Sequence, residues 1–115
     1  MWVADIDRLS GRSAVDSIRT LGGQGDFAEL DVGDPAASLA LAGRLPPLDI
    51  LVNNAGIGHV GGLPETSASD LDRLYAVNVR GSFNLGKAFV PAMIERKRGS
   101  VINLASVGGV LAVRD

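Results

Sequence analysis

A chain of 115 residues is long enough for one small domain with a single hydrophobic core. Its hydrophobic fraction of 46% and charged fraction of 21% are typical of globular proteins and exclude the disordered class. The formal net charge of -2 gives no basic footprint for nucleic acid, and the lack of cysteine excludes disulfides, Cys-ligated zinc and a cysteine nucleophile.

The first residues predict neither a secretory signal nor a membrane anchor. The apolar residues 1–4 are followed at once by Asp5 and Asp7, and no apolar run in the sequence is long enough to cross a bilayer. We therefore expect a cytoplasmic protein that does not associate with membranes. Because His59 is the only histidine, we also expect no histidine-based metal site.

Strands and helices alternate in the first half of the sequence. The apolar residues 2–4 predict a strand, the helical spacing of apolar residues over 9–21 predicts a helix, and residues 27–32 predict a second strand. An Asp-Pro pair then supplies an N-cap and a first-turn proline, which predicts a helix over 35–44.

The alternation continues in the second half. Residues 48–52 predict a third, buried strand. Ser67 and Asp70 have the spacing of a capping box, and a long helix over 67–98 should follow from it. Pro91 lies inside this helix, so we expect a kink there.

The end of the long helix leads into a fourth strand. Gly99 should end the helix, and we interpret the basic run 96–98 as a solvated C-terminus that complements the helix dipole. Residues 100–104 predict the strand. The order β-α-β-α-β-α-β predicts one α/β domain over 1–115 with a parallel sheet and right-handed crossovers.

Small and polar residues follow each of the four predicted strands. They are Asp5, Asp31, the turn 53–56 and Ser106. In parallel sheets, ligands bind beyond the carboxyl ends of the strands. The sequence therefore predicts a ligand-binding edge, without saying which ligand it binds.

Three motifs resemble, in order and spacing, those of the short-chain dehydrogenase/reductase family: Asn53-Asn54-Ala55-Gly56, Asn78-Val79-Arg80-Gly81 and Ile102-Asn103-Leu104-Ala105-Ser106-Val107-Gly108-Gly109. The resemblance covers essentially the whole chain. It implies a partial Rossmann fold, in which a parallel sheet of strands equivalent to 2–5 is flanked by helices. It also implies an oxidoreductase that transfers a hydride between NAD(P) and a small-molecule alcohol or carbonyl substrate.

Two residues match the family's catalytic set. Asn78 matches the asparagine that helps to hold a water in a proton relay, and Ser106 matches the serine that hydrogen-bonds the reacting substrate oxygen. A hydroxyl can both donate and accept, so it suits an oxygen on which charge develops. The alternatives are that Ser106 caps local backbone and that Asn78 repairs the backbone at a helix irregularity.

The end of the first predicted strand matches the family's ribose site. The resemblance implies that Asp5, with the neighbouring Ile6, receives the adenosine ribose, and a carboxylate there favours NAD over NADP because it repels a 2′-phosphate. Asp7 is a second candidate for the same role. Arg8 and Arg12 lie close by in sequence and weaken the exclusion of NADP.

The ends of the next two strands complete the expected cofactor site. By resemblance, Asp31 reaches the adenine amine and Val32 packs beside the ring. Asn53, Ala55 and Gly56 belong to a turn of small residues that lets the backbone approach a flat ligand closely. The alternatives are a loop aspartate before a helix and an ordinary strand-to-loop turn.

Three other polar residues have weaker claims to a role. His59 follows the turn and could face a substrate, but loop histidines are more often simply exposed. Tyr75 lies in an apolar helical stripe and is interpreted as packing. Neither Tyr75 nor Lys87 matches the family's catalytic tyrosine and lysine.

Two parts of the family pattern do not occur in these residues: the Gly-rich phosphate turn and the Tyr-x-x-x-Lys pair. We therefore expect an incomplete domain, a fragment that is inactive by itself. In the Rossmann order, strand 1 lies between strands 2 and 4. Strands equivalent to 2–5 should consequently form two separate pairs.

Two other readings remain open: a non-catalytic Rossmann module that binds a nucleotide or a partner, and a truncated product without function. For the enzyme, the end 113–115 indicates a polar substrate such as a sugar or polyol. The resemblance also implies that the parent enzyme is a homo-oligomer with its long helix at the subunit interface.

Overall fold

Strands and helices alternate along the chain in the predicted order. The computed structural model describes residues 1–106. Within them the elements are β1 (Trp2–Asp5), α1 (Arg8–Thr20), β2 (Asp26–Glu29), α2 (Pro35–Arg44), β3 (Ile50–Asn53), α3 (Ala68–Tyr75), a π-helical segment (Ala76–Arg80), α4 (Gly81–Glu95) and β4 (Ser100–Asn103).

The strands form two separate parallel pairs, as the sequence predicted. β1 pairs with β2, and Asp5 lies beside Glu29 at their carboxyl ends. β3 pairs with β4, and Asn53 lies beside Asn103 at theirs. β2 ends at Glu29 rather than at residue 32, because β1 itself ends at Asp5 and offers no further ladder partners.

Helix α1 begins and ends through local hydrogen bonds. The Asp7 carboxylate accepts from the backbone N–H groups of Leu9 and Ser10, which satisfies two of the free donors in the first turn. At the other end Gly22 has a φ of 83°, and Gly23 N–H donates to the Ile18 carbonyl at 2.9 Å. This is a Schellman ending, in which glycine avoids the strain of the left-handed conformation.

The predicted long helix is divided into three parts. The capping box is confirmed, because the Ser67 side chain accepts from Asp70 N–H and the Asp70 side chain accepts from Ser67 N–H. A π-helical segment then separates α3 from α4, and α4 continues through Pro91. The helix does not end at Gly99 as predicted: it ends at Glu95, and Lys97 takes the left-handed conformation with a φ of 52°.

The predicted solvated basic run is in fact partly engaged. Arg96 Nη1 lies 3.2 Å from Asp49 Oδ1, and Arg98 Nε lies 3.4 Å from the same oxygen. Arg96 also donates to the Leu48 carbonyl oxygen. The two arginines therefore hold the end of α4 to the segment before β3, a contact that local sequence does not reveal.

The core lies between the strands, α2 and α4. Its buried apolar members are Leu30, Val32, Leu41, Leu51, Leu85, Phe89 and Met93. On β3, Leu51 is buried whereas Ile50 and Val52 on the opposite face are 58% and 50% exposed. One face of β3 is therefore uncovered by residues 1–106. In that part of the chain, no helix has both the length and the apolar character needed to cross a membrane.

Candidate active site

The π-helical segment contacts the loop after β3, and α4, which follows it, contacts the loop after β2. Asn78 lies in this segment, and its side-chain Oδ1 accepts from Ile57 N–H at 2.8 Å. Its Nδ2 donates to the Ile57 carbonyl at 2.9 Å. Asn78 does lie at a helix irregularity, but its side chain bonds to the loop after β3 rather than to its own helix.

Two residues that the sequence reasoning missed support the loop after β2. Asn84 is buried in α4, and its Nδ2 donates to the Val32 carbonyl at 2.8 Å. Gly81 faces the same residue, because a Cβ there would lie 2.7 Å from Val32 Cγ2. The sequence did contain a signal for this contact: an asparagine stands next to the apolar core positions of α4, three residues after a glycine.

The expected adenine pair is split between the core and the surface. Val32 is 8% exposed and belongs to the core. Asp31 is exposed, and its Oδ1 accepts from Gly33 N–H at 2.8 Å. An adenine beside this pair would therefore meet the Asp31 carboxylate and the loop backbone before it met the Val32 side chain.

The turn after β3 has a buried first residue and an exposed remainder. Asn53 Nδ2 donates to Asn103 Oδ1 at 2.7 Å, so this side chain joins the ends of β3 and β4. Asn53 Oδ1 is buried and has no hydrogen-bond partner within residues 1–106. Ala55 and Gly56 are exposed, and even a Cβ added to Gly56 would make only ordinary contacts, the nearest at 3.6 Å from Asn78 Oδ1. A flat ligand can therefore approach this backbone.

The corner at the ends of β1 and β2 holds three carboxylates and one guanidinium. Asp5 is half-buried, and its Oδ1 accepts from Asp7 N–H at 2.9 Å. Asp7 is committed to capping α1, and hydrogen bonds from the Ser10 hydroxyl and then from the Leu9 and Ser10 amides lower its pKa. Of the two candidate ribose acceptors, Asp5 therefore has the freer carboxylate. Ile6 beside it is 65% exposed.

Arg8 does not stand free in this corner. Its Nε donates to Glu29 Oε2 at 2.7 Å, and its Nη2 faces the same oxygen. The hydrogen bond from Arg8 lowers the pKa of Glu29, and Glu29 in turn raises the pKa of Arg8. We refer to Asp5, Asp7, Arg8 and Glu29 together as the β1–β2 corner.

These residues fit a dinucleotide in part. The Asp5 and Asp31 carboxylates can accept hydrogen bonds from groups such as ribose hydroxyls and an adenine amine, and the exposed turn leaves room for a flat ligand. Within residues 1–106, no three His, Cys, Asp or Glu side chains, those of this corner included, are placed so that they could hold a metal ion together.

The remaining candidates have definite surroundings. Ser106 is exposed on the segment that follows β4, whereas residues 107–109 of its motif and the end 113–115 lie outside the described residues. His59 is not simply exposed: its Nε2 lies 3.1 Å from Thr66 Oγ1. Tyr75 is 53% exposed, with the Arg80 guanidinium 5.7 Å from its ring centre, so it does not pack in the core as interpreted.

Comparison with known proteins agrees with this geometry. The profile of the family described as short chain dehydrogenase matches residues 1–114. An uncharacterized oxidoreductase of Thermotoga maritima is 36% identical over 113 residues, covering 96% of this chain and 45% of that protein. A protein of Xanthobacter autotrophicus named inactive 2-(S)-hydroxypropyl-CoM dehydrogenase 2 is 40% identical over 115 residues, covering 96% of this chain and 50% of that one.

A solved structure is similar over the same span. It is a gluconate 5-dehydrogenase from Burkholderia cenocepacia in complex with NADP and tartrate, with a TM-score of 0.85 and 33% identity, covering 97% of this chain and 46% of that one. The fold and the strand-end motifs thus define an α/β protein with a partial Rossmann fold. The chain belongs to the short-chain dehydrogenase family. It spans about half the length of the curated relatives that it matches.

Proposed function

We propose that this chain is part of an NAD(P)-dependent oxidoreductase that transfers a hydride between the nicotinamide and an alcohol or carbonyl substrate. The observation that carries the proposal is the pair of hydrogen bonds between the Asn78 side chain and the Ile57 backbone. They join the helix of the second family motif to the loop that follows the first motif. Such a link between two motifs serves a site that both of them line.

The bound cofactor would supply the hydride chemistry, and the residues of this chain would hold it and orient the substrate. We propose that Asp5, with Ile6, receives the ribose, that Asp31 and Val32 flank the adenine, and that the turn at 53–56 faces the cofactor. In this turn Asn53 holds the ends of β3 and β4 together through its hydrogen bond to Asn103, whereas Ala55 and Gly56 present exposed backbone to the cofactor. A carboxylate at Asp5 favours NAD over NADP.

The proposed catalytic groups are Ser106 and Asn78. The Ser106 hydroxyl would hydrogen-bond the reacting oxygen, where a donor stabilises developing charge. Ile57 occupies one hydrogen of the Asn78 amide and one lone pair of its oxygen, so a relay water would use the second hydrogen or the second lone pair. A polar substrate such as a sugar or polyol is supported by the likeness to a gluconate 5-dehydrogenase.

The test uses a chimera in which this chain replaces the matched segment of the Thermotoga maritima oxidoreductase, which supplies the flanking segments. We expect the chimera to bind NAD⁺ and to reduce it with members of a polyol panel. Asp5→Ala should narrow the preference for NAD⁺ over NADP⁺. A folded chimera that binds neither cofactor would contradict the proposal.

A second candidate is a Rossmann module that binds nucleotide without catalysis. This second candidate is supported by the name of the Xanthobacter relative, which calls that protein inactive. The two candidates differ in one measurement. Cofactor binding without turnover on any panel substrate, in a chimera whose flanking segments hold the Tyr-x-x-x-Lys pair, would support the module.

We also propose a homo-oligomer in which α3 and α4 meet a second copy. Four apolar side chains are more than half exposed at four-residue spacing along these helices, and we call them the helix stripe: Leu71, Tyr75, Val79 and Phe83. Exposed apolar surface of this kind marks protein contacts. Light scattering of the chimera with and without Phe83→Glu tests this, and an unchanged mass would argue against it.

The proposed location is the cytoplasm. The chain contains no cysteine and so needs no oxidising compartment for its folding. Fractionation of cells that express a tagged copy at native levels would check the location, and recovery in the membrane fraction would contradict it.

A further inference from the structure

The β1–β2 corner contains an ion pair whose partners are held in place by backbone packing. Phe27 and Glu29 are two residues apart on β2, so their side chains project from the same face of the strand. A Cβ on Gly11 would lie 2.2 Å from Phe27 Cε2, so glycine lets α1 approach the strand closely. Arg8 lies three residues before Gly11, on the same side of the helix, and therefore falls opposite Glu29.

Arg8 is the first residue of α1 and follows Asp5 by three positions. A guanidinium here is the group that would bind a 2′-phosphate on the ribose, because its fork of N–H donors matches phosphate oxygens. In this structure the fork points at Glu29, and both Nε and Nη2 face its Oε2. A 2′-phosphate would have to displace the Glu29 carboxylate from this guanidinium.

We propose that Glu29 is a specificity-determining residue: by holding Arg8, it makes the β1–β2 corner reject cofactors that carry a 2′-phosphate. The inference rests on the proposed function, in which Asp5 at the end of β1 receives the ribose. It adds a residue of β2, Glu29, to those that decide between NAD and NADP. Asp5 repels the phosphate directly. Glu29 acts by keeping the Arg8 guanidinium from compensating for that repulsion.

The pair is exposed, which makes a purely structural role a poor explanation. The Arg8 and Glu29 side chains are 68% and 48% exposed. Exposed ion pairs contribute little to stability because solvent screens them and both side chains lose freedom. Removing the Glu29 charge should therefore leave folding unchanged, and its effect should appear in ligand binding.

The experiment compares two adenosine probes that differ in the 2′-phosphate. Calorimetry at low ionic strength would measure the Kd of 5′-AMP and of 2′,5′-ADP for the chimera and for Glu29→Gln, which keeps the shape of the side chain and removes its charge. We expect Glu29→Gln to bind 2′,5′-ADP about tenfold more tightly and 5′-AMP as before. Adding Arg8→Ala to Glu29→Gln should abolish the gain.

A matched control lies at the other end of the same helix and strand. Arg19 Nη2 and Asp26 Oδ1 form a second exposed ion pair between α1 and β2, at 3.5 Å. Asp26→Asn removes an equivalent charge away from the corner, so neither Kd should change. If 5′-AMP binds but Glu29→Gln leaves the Kd of 2′,5′-ADP unchanged, the inference is overturned and the proposed function stands. If the unmodified chimera binds neither probe, both are overturned.

Discussion

The side-chain amide of Asn78 forms two hydrogen bonds with the backbone of Ile57: it accepts from the N–H at 2.8 Å and donates to the carbonyl oxygen at 2.9 Å. We call this pair of hydrogen bonds the bracket. Residue 78 lies in a π-helical segment and residue 57 in the loop after β3. π-Helical turns are uncommon and often lie at functional sites. Through the bracket, the π-helical segment fixes the loop that carries the family's first motif.

Replacing Asn78 by Asp should release this loop. The carboxylate keeps the shape of the amide but loses the donor, so the hydrogen bond to the Ile57 carbonyl, worth about 1 kcal/mol, is lost, and repulsion from that carbonyl disturbs the remaining hydrogen bond from the Ile57 N–H. Amide exchange at Ile57 should accelerate by roughly tenfold in hydrogen-exchange mass spectrometry or NMR. Asn54→Asp, at an exposed position of the same turn, is the control and should change little. Equal exchange rates in the two variants would refute the bracket.

Gly81→Ala should destabilise the domain through Val32. The added Cβ would lie 2.7 Å from Val32 Cγ2, and overpacking of this kind costs about 1–3 kcal/mol. Gly86→Ala on the same helix is the matched control, because no atom lies within 4 Å of its new Cβ. It should raise stability by up to about 1 kcal/mol through helix propensity. Denaturant unfolding of the chimera measures both, and a Gly81→Ala variant as stable as Gly86→Ala would contradict the packing argument.

Ser106→Ala should remove most of the catalysis of the chimera. Losing a donor to an oxygen on which charge develops typically lowers the rate by about 10²-fold, so we expect kcat/KM to fall by about that factor. The affinity for NAD⁺ should be unchanged, which separates a catalytic role from a structural one. Ser82→Ala, on α4, provides a serine control outside the three family motifs. Near-normal turnover in Ser106→Ala would remove it from the site.

Acid should weaken the start of α3 through Asp70. The hydrogen bond from the Ser67 hydroxyl, followed by that from the Ser67 amide, holds the pKa of Asp70 below its ordinary value of 3.8. Because the folded state lowers this pKa, the carboxylate stabilises the fold above pH 3.8 and loses that contribution as the pH falls through the folded-state pKa. Asp70→Asn should make the protection of the amides in the first turn of α3, measured relative to the exchange of an unfolded chain at the same pH, less dependent on pH between neutral and acid. An unaltered pH profile would contradict the capping role.

The isolated chain should associate and should not catalyse hydride transfer. The helix stripe and the uncovered face of β3 expose apolar side chains, which favour association. Its one tyrosine, Tyr75, is exposed on α3 with Arg80 over its ring and is not followed by a lysine at the family spacing. Sizing, thermal melting and a cofactor-reduction assay test this together. A monomer with a sharp cooperative melt would disprove the predicted association. Turnover above that of Ser106→Ala would disprove the predicted lack of catalysis.

Local patterns determined the order of the elements. The Asp34 cap, the Pro35 first turn and the Ser67–Asp70 box are all formed, since each needs only residues within about one helical turn. The alternation of strands with helices also predicted parallel pairing, because a parallel pair requires a crossover between its strands. The three family motifs indicated the family, and together with the predicted strand ends they nominated the site residues.

Contacts between distant residues were decided by the tertiary structure alone. Arg8 meets Glu29 only because Gly11 lets α1 lie against Phe27. Likewise, the end of β2 depends on where β1 stops. A sequence pattern records which residues share a face of one element, but not which face of another element they will meet. That second choice depends on how closely backbones can approach, and it is made when the elements pack.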